Sequence, residues 1–352
     1  MSDLYQELST RYGFPESKYL PMILKSMVSP EQTRILLQLT AKSEEVADKL
    51  RIDQQVVDDH LQELFEKGLA FPTSKGWRLG HNIDSLHDLA LSNTKYWDSY
   101  GGNEYAHLWL AFEKLEWYPE FVGVHAALEA PLMRVVPAWQ AVKDNPDLLP
   151  EEDIREIYKK VESIALIPCP CRRKIYNRGC GSPDELCITL NRSAKYNLKR
   201  GVGRELTVEE AIELEETARK HDAITVVQNS PVSDMVICHC HRCCCLSFHA
   251  TEQHGSIYDE YEKSRYVAMV DPEKCNACQK CIATCQYGAA EMKKYPEITK
   301  WKAHIDADKC VGCGNCFVKC PKEGAVSLKA VRPPGHIPQR ELDVYADAKA
   351  KK

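Results

Sequence analysis

Ala268 to Cys285, AMVDPEKCNACQKCIATC, aligns without a gap on Ala303 to Cys320, AHIDADKCVGCGNCFVKC, 35 residues later. Within the repeat, Cys275, Cys278, Cys281 and Cys285 read C-x2-C-x2-C-x3-C, and Cys310, Cys313, Cys316 and Cys320 read it again. Three thiolates two residues apart on a tight loop can take three corners of an iron-sulfur cube, while the fourth cysteine, opening the next helix, points at the other cube. The spacing therefore predicts two 4Fe-4S clusters, one on Cys275, Cys278, Cys281 and Cys320, the other on Cys310, Cys313, Cys316 and Cys285. Ala277, Gly312 and Gly314 are small where the backbone must approach the sulfides and donate N–H groups. Pro321 follows Cys320 and completes the pattern. Gln286 stands where the matching proline would follow Cys285, a departure expected to cost little because that proline ligates nothing. Zinc sites favour paired CxxC knuckles or Cys/His mixtures, so the doubled register fits zinc or disulfides poorly.

The segment 266–330 resembles the bacterial two-cluster ferredoxins. The resemblance implies a pseudo-twofold fold, with a short hairpin and a helix in each half, that carries electrons one at a time.

Working outward, the chain has 352 residues, enough for two or three domains, with a formal net charge of only -5, which argues for neither nucleic acid nor anionic lipid as a partner. Its 17 cysteines fall in metal-type clusters and MSDLYQELSTRYGF lacks an apolar signal core, so a reducing cytoplasm is expected. No run approaches the roughly 18 apolar residues of a spanning helix.

Residues 1–80 carry helix signals in series. Ser29-Pro30-Glu31-Gln32 reads as a capping box with proline in the first turn, ahead of Ile35, Leu36 and Leu39. A second helix follows Ser43, with Val46, Ala47 and Leu50 inside. Asp53 caps a third that carries Val56, Val57, Leu61, Leu64 and Phe65 and ends at Gly68. Two short strands then bracket Pro72 to Gly76. Three helices and a two-stranded wing resemble the winged helix-turn-helix family. Residues 29–80 hold seven Lys/Arg against nine Asp/Glu, and the third helix offers Asp58, Asp59, Glu63 and Glu66. Such a surface repels phosphates, so protein docking or dimerisation is expected in place of DNA binding.

Residues 81–165 place Leu, Trp and Tyr at helical intervals and read as several helices, interrupted by prolines from Pro119 onward. His87, His107 and His125 have no spaced ligand partner and read as surface or packing residues.

Residues 166–250 hold the other nine cysteines: Cys169, Cys171, Cys180 and Cys187, then Cys238, Cys240, Cys243, Cys244 and Cys245. Between them Thr207 to Glu210 is a capping box for a helix reaching about Lys220, and Ala223 to Gln228 reads as a strand. Apolar runs at Ile164–Ile167 and Met235–Ile237 precede the two groups. Nine thiols in two patches point to a further 4Fe-4S cluster, with Arg172, Arg173 and Arg242 offsetting its charge. A zinc site using Cys169, Cys171, Cys238 and Cys240 and metal-free redox thiols are the alternatives. Cys243 to Cys245 cannot all serve one metal, because neighbouring side chains diverge. The CPCR and CHCHRCCC segments ahead of a two-cluster domain resemble a group of 4Fe-4S binding proteins, which implies iron-sulfur binding and no more. Gly201-Val202-Gly203-Arg204 lacks the third glycine of a dinucleotide fingerprint, so the reductant is expected from a partner.

The sequence thus predicts an α+β multidomain protein: a winged-helix-like domain (1–80), a helical linking region (81–165), a central cysteine-rich α/β region (166–250), a two-cluster ferredoxin domain (266–330) and an extended tail (331–352). Its expected work is intracellular electron transfer between donor and acceptor oxidoreductases, as in anaerobic metabolism. A redox-sensing regulator and an oxidoreductase subunit with a substrate-reactive central cluster are the alternatives.

Overall fold

The computed structural model describes residues 3–80, 82–175 and 181–339. Two compact units divide the chain: Met1–Glu120 with Ile167–Gly179 and Tyr196–Arg204, and Phe121–Leu166 with Cys180–Lys195 and Glu205–Lys352.

The first unit is helical. Helices α1 (Leu4–Arg11), α2 (Leu20–Met27), α3 (Pro30–Gln38), α4 (Ser43–Leu50) and α5 (Gln54–Lys67) precede an antiparallel hairpin of β1 (Ala70–Thr73) and β2 (Gly76–Leu79). The capping box at Ser29 is complete: the Gln32 N–H donates to Ser29 Oγ, and Gln32 Oε1 accepts from the Ser29 N–H. Gly68 closes α5 in the left-handed region at φ 84°, where it satisfies the Leu64 and Phe65 carbonyls. Val57, Leu61, Leu64 and Phe65 are buried, but Val56 is 39% exposed: it lies one position, about 100° of helix, off the inner stripe. Arg200 returns to this core, donating to the carbonyls of Phe65 and Leu89.

Helices α6 (Ile83–Leu91) and α7 (Asn103–Phe112) follow, and α7 runs into a π turn, Glu113–Trp117. Of surface and packing residue, His87 is the latter. It lies fully buried between Trp109 and Trp117, with Nε2 3.1 Å from Glu113, whose carboxylate is 2.6 Å from Lys174 Nζ.

The second unit is framed by a sheet of order β6-β4-β5-β8-β7-β3-β9, whose strands are β3 (Met133–Val136), β4 (Ile164–Pro168), β5 (Glu185–Leu190), β6 (Arg204–Glu205), β7 (Ile224–Gln228), β8 (Val236–Cys240) and β9 (Tyr261–Glu262). Alternation along the strands gives the sheet two faces. Val136, Ile188, Val227 and Ile237 point to one, together with Tyr158 of the helix Ile154–Lys159 and Ala211 of helix α8 (Val208–Lys220). Val135, Val226, Cys238 and Cys240 point to the other. The strand end expected at Ile237 is early: β8 runs on to Cys240, so the second cysteine group begins inside it.

The C-terminal part has β10 (Tyr266–Val270) paired with β13 (Val326–Ala330), β11 (Ala290–Lys293) paired with β12 (Lys302–Ile305), and short helices α9 (Lys280–Ala283) and α10 (Asn315–Lys319). Each half supplies one helix and two strands, but the hairpin expected within each half is not formed: β10 and β11 of the first half pair with β13 and β12 of the second, so the strands tie the two halves together. Among the described residues no helix is long and apolar enough to cross a membrane.

Candidate iron-sulfur and cysteine site

The first half of the repeat wraps a cavity. Cys275, Cys278, Cys281 and Cys320 all line it, with Val270, Ala303 and Val326 as its apolar wall. The fourth cysteine thus comes from the other half, as the doubled spacing requires. Cys278 is exposed and Cys281 buried. In the second half Cys310 is buried, packing with Val267, Ala268 and Ala289 against Cys285 and Cys316. Backbone N–H groups already point at sulfur: Ala277 to Cys275 at 3.4 Å, Ala268 to Cys310 at 3.4 Å and Ala289 to Cys285 at 3.2 Å. Burial pushes the Cys313 thiol up to about 11 and Cys316 well above its ordinary value, with neighbouring thiols adding to it. Buried, mutually repelling thiols that face N–H donors fit a cationic cluster core, which removes the protons and holds the sulfurs as thiolates.

The two loops differ. Ala277 and Gln279 adopt φ +61° and +62°, and their counterparts Gly312 and Gly314 adopt +70° and +79°. All four positions need the left-handed conformation, but only the second pair needs glycine. A Cβ on Gly312 would stand 2.2 Å from Ser264 Oγ and from the Tyr266 carbonyl oxygen, and one on Gly314 would stand 3.1 Å from Ala138. These glycines are small because their own chain crowds them, a reason the sequence reading had placed with the cluster. The second loop is fastened there, since Ala138 N–H donates to the Cys313 carbonyl at 2.9 Å and Ser264 Oγ to the Gly312 carbonyl at 3.1 Å.

Cys187, Cys238, Cys240, Cys243, Cys244 and Cys245 of the central group lie in the second unit. Cys187 and Cys238 are register partners on β5 and β8, and Cys240 shares their face. Cys240 Sγ and Cys245 Sγ lie 3.2 and 3.1 Å from the Tyr261 hydroxyl. Hydrogen bonding with Cys238 pushes the Cys240 thiol well up, with burial adding to it. Cys245 caps the helix Leu246–His254, Cys244 Sγ turns to the His241 carbonyl, and Cys243 is half-buried, so the three neighbours diverge as expected. One apolar cluster holds Cys238, Cys240, Cys245, Tyr261, Phe248, Val311, Tyr287 and Cys313. The opposite face of β8 presents His239, whose Nε2 is 2.8 Å from Glu215 and whose Nδ1 is 2.6 Å from the Leu186 carbonyl.

Cys169 and Cys171 belong to the first unit, at the start of the short helix Pro170–Arg173, where a hydrogen bond with Cys171 and then burial push the Cys169 thiol up. Arg173 lies over the Trp97 ring, and Arg242 pairs with Glu252. Cys180 lies outside the described residues. Among the described residues no three His, Cys, Asp or Glu side chains converge closely enough to hold a single metal ion, and that includes the eight ferredoxin cysteines.

Three residues were not flagged as functional by sequence reasoning. Gln286 is buried; its Oε1 accepts the Arg242 N–H at 3.1 Å, and its Nε2 donates to the Asp222 carbonyl at 3.2 Å. Its presence in place of proline was the available signal. Tyr261 and Tyr287 carry no local signature.

Residues 274–324 match the model of the 4Fe-4S dicluster domain family. No curated protein and no solved structure significantly matches the chain. The chain is therefore a mixed α/β protein with a ferredoxin-like 4Fe-4S domain near its C-terminus, and an iron-sulfur electron-transfer role with redox partners follows from that domain.

Proposed function

We propose that this chain passes single electrons between a donor and an acceptor oxidoreductase, with Cys275, Cys278, Cys281 and Cys320 holding one 4Fe-4S cluster and Cys310, Cys313, Cys316 and Cys285 the other. Each cluster, when bound, supplies a one-electron couple. The chain's own residues make the two positions unlike: the first opens to solvent at Cys278, while the second has Cys310 buried, Cys285, Cys313 and Cys316 half-buried, and its loop crowded by Ser264 and Ala138. The observation that carries the reading is the apolar core shared by Cys313 with Cys238, Cys240 and Cys245. It sets the second loop and the central thiols in one dry medium, with Tyr287 and Tyr261 in the same core.

The central cysteines of the second unit, Cys187, Cys238, Cys240, Cys243, Cys244 and Cys245, then form a further centre beyond the ferredoxin domain, a third 4Fe-4S cluster with zinc as the competing occupant. The N-terminal helices and hairpin act as a winged-helix-like docking or dimerisation module. DNA is not the partner proposed for it, because residues 29–80 carry nine Asp/Glu against seven Lys/Arg and the third helix presents Asp58, Asp59, Glu63 and Glu66, a surface that repels phosphates. The proposed setting is the cytoplasm.

Iron, zinc and acid-labile sulfide per chain, measured on anaerobically purified protein with EPR after reduction, test this. About twelve irons without zinc support three clusters, whereas about eight with one zinc make the central site structural. Fewer than about eight irons in a folded protein would sink the two-cluster assignment.

A further inference from the structure

The hairpin β11–β12 stands beside the cavity lined by Cys275, Cys278, Cys281 and Cys320, since Ala303 of β12 is part of that cavity's wall and Lys302 Nζ bonds the Cys275 carbonyl. Cys278 in this cavity is the one fully exposed cysteine among those described. Lys293 and Lys302 face each other directly across the hairpin. Like charges directly opposite destabilise a strand pair, so this arrangement costs the fold something. No carboxylate of the described residues relieves it: Lys302 turns to a carbonyl, Lys294 turns to the Thr299 carbonyl, and Lys293 is exposed. The segment 290–305 holds four lysines, at 293, 294, 300 and 302, against Glu291 and Glu297, in a chain of net charge -5. Beside Lys302, Trp301 is 56% exposed.

From this juxtaposition we infer that the β11–β12 hairpin is the docking surface for an acidic redox-partner protein, which exchanges electrons at the solvent-facing cluster position. The inference deepens the electron-transfer reading above and rests on it. The excess of positive charge is small and local, which suits steering of a carboxylate-rich protein face over neutralisation of a phosphate stripe. Electron-transfer encounters use small interfaces, and an exposed tryptophan amid cations is the residue type that anchors them. Lysines around the site raise the encounter rate and lose that effect in salt.

The test is stopped-flow reduction of the anaerobic holoprotein by reduced flavodoxin, an acidic flavoprotein, with photoreduction by deazaflavin as the partner-free control. K293E/K300E is expected to slow the flavodoxin reaction about tenfold at low ionic strength, and the difference is expected to close at about 0.5 M salt. Trp301→Ala is expected to slow it at both ionic strengths. Deazaflavin photoreduction and the EPR spectrum stay the same in all three proteins. Equal flavodoxin rates for wild type and K293E/K300E, or a wild-type rate indifferent to salt, overturn the docking surface while leaving the clusters standing. Tight, salt-sensitive binding of a DNA duplex that K293E/K300E abolishes reassigns the surface to nucleic acid. Absence of photoreducible clusters overturns the electron-transfer reading and this inference together.

Discussion

The side-chain carbonyl of Gln286 accepts the backbone N–H of Arg242 at 3.1 Å, so the residue after the last cysteine of the first ferredoxin motif holds the loop that carries the central cysteines. Its amide also donates to the Asp222 carbonyl, at the entry to β7. Proline at this position makes neither bond. Gln286→Pro restores the usual ferredoxin pattern and is expected to leave about eight irons in place. It is also expected to cost about 1–3 kcal/mol of stability through the unpaired Arg242 and Asp222 groups, and to speed alkylation of Cys243 to Cys245. Thermal unfolding together with iodoacetamide labelling read by mass spectrometry checks this. Unchanged labelling rates would show that Gln286 holds nothing.

Gly312 and Ala277 occupy equivalent places in the two halves, and their substitutions should diverge. A methyl group on Gly312 meets Ser264 Oγ and the Tyr266 carbonyl oxygen at 2.2 Å, and the latter is backbone that cannot swing aside. Gly312→Ala is expected to destabilise by more than about 2 kcal/mol, or to yield protein depleted in iron, whereas Ala277→Gly stays within about 1 kcal/mol of wild type. Chemical denaturation of both variants decides the matter.

Local signals carried well through the chain. The capping boxes at Ser29/Gln32 and Thr207/Glu210 and the left-handed Gly68 depend on residues a few positions apart, and each stands where its local pattern puts it. The site beyond the eight cysteines was not legible in the same way. Tyr287 joins Cys240, Cys245 and Cys313 in one core through tertiary packing alone, and nothing near it in sequence says so. The reason for Gly312 lies 46 and 48 residues away, at Tyr266 and Ser264. The buried partners of His87, Glu113 and Lys174, were not legible because they are far along the chain.

The unequal exposure of the two cluster positions makes a prediction about iron loss. Cys278 is exposed and its loop carries Gln279 toward solvent, whereas Cys310 is buried and Cys313 packs in a closed apolar core. Under air with a chelator present, iron is expected to leave in two phases, with about four irons released first. Cys278→Ala should delete the fast phase and leave the slow one. A single phase for all the iron would mean that the two positions are equally open.

Glu113 and Lys174 form a fully buried ion pair that sets a pH window for the first unit. Burial by itself raises the Glu113 carboxyl, but Lys174 and His87 outweigh it and bring it down from 4.5 to about 2. A carboxylate depressed in the folded state stabilises above its unfolded value and loses that contribution as pH falls from about 4.5 toward 2, here on the order of 3 kcal/mol. His87 has the opposite sign. Burial and Lys174 lower it, Asp88 and Glu113 outweigh them, and its net rise stabilises fully below 6.5 and is lost as pH climbs through the raised folded value. The network therefore contributes most between pH 4.5 and 6.5. Lys174→Met strands a buried carboxylate and should cost about 3–5 kcal/mol at pH 6, while Glu113→Gln/Lys174→Met, which removes both charges, should cost less and flatten the acid limb. Urea unfolding from pH 3 to 8 measures both curves. If Lys174→Met matched the double variant at pH 6, the pair would not be coupled, and the stabilising role of Lys174 would have to be abandoned.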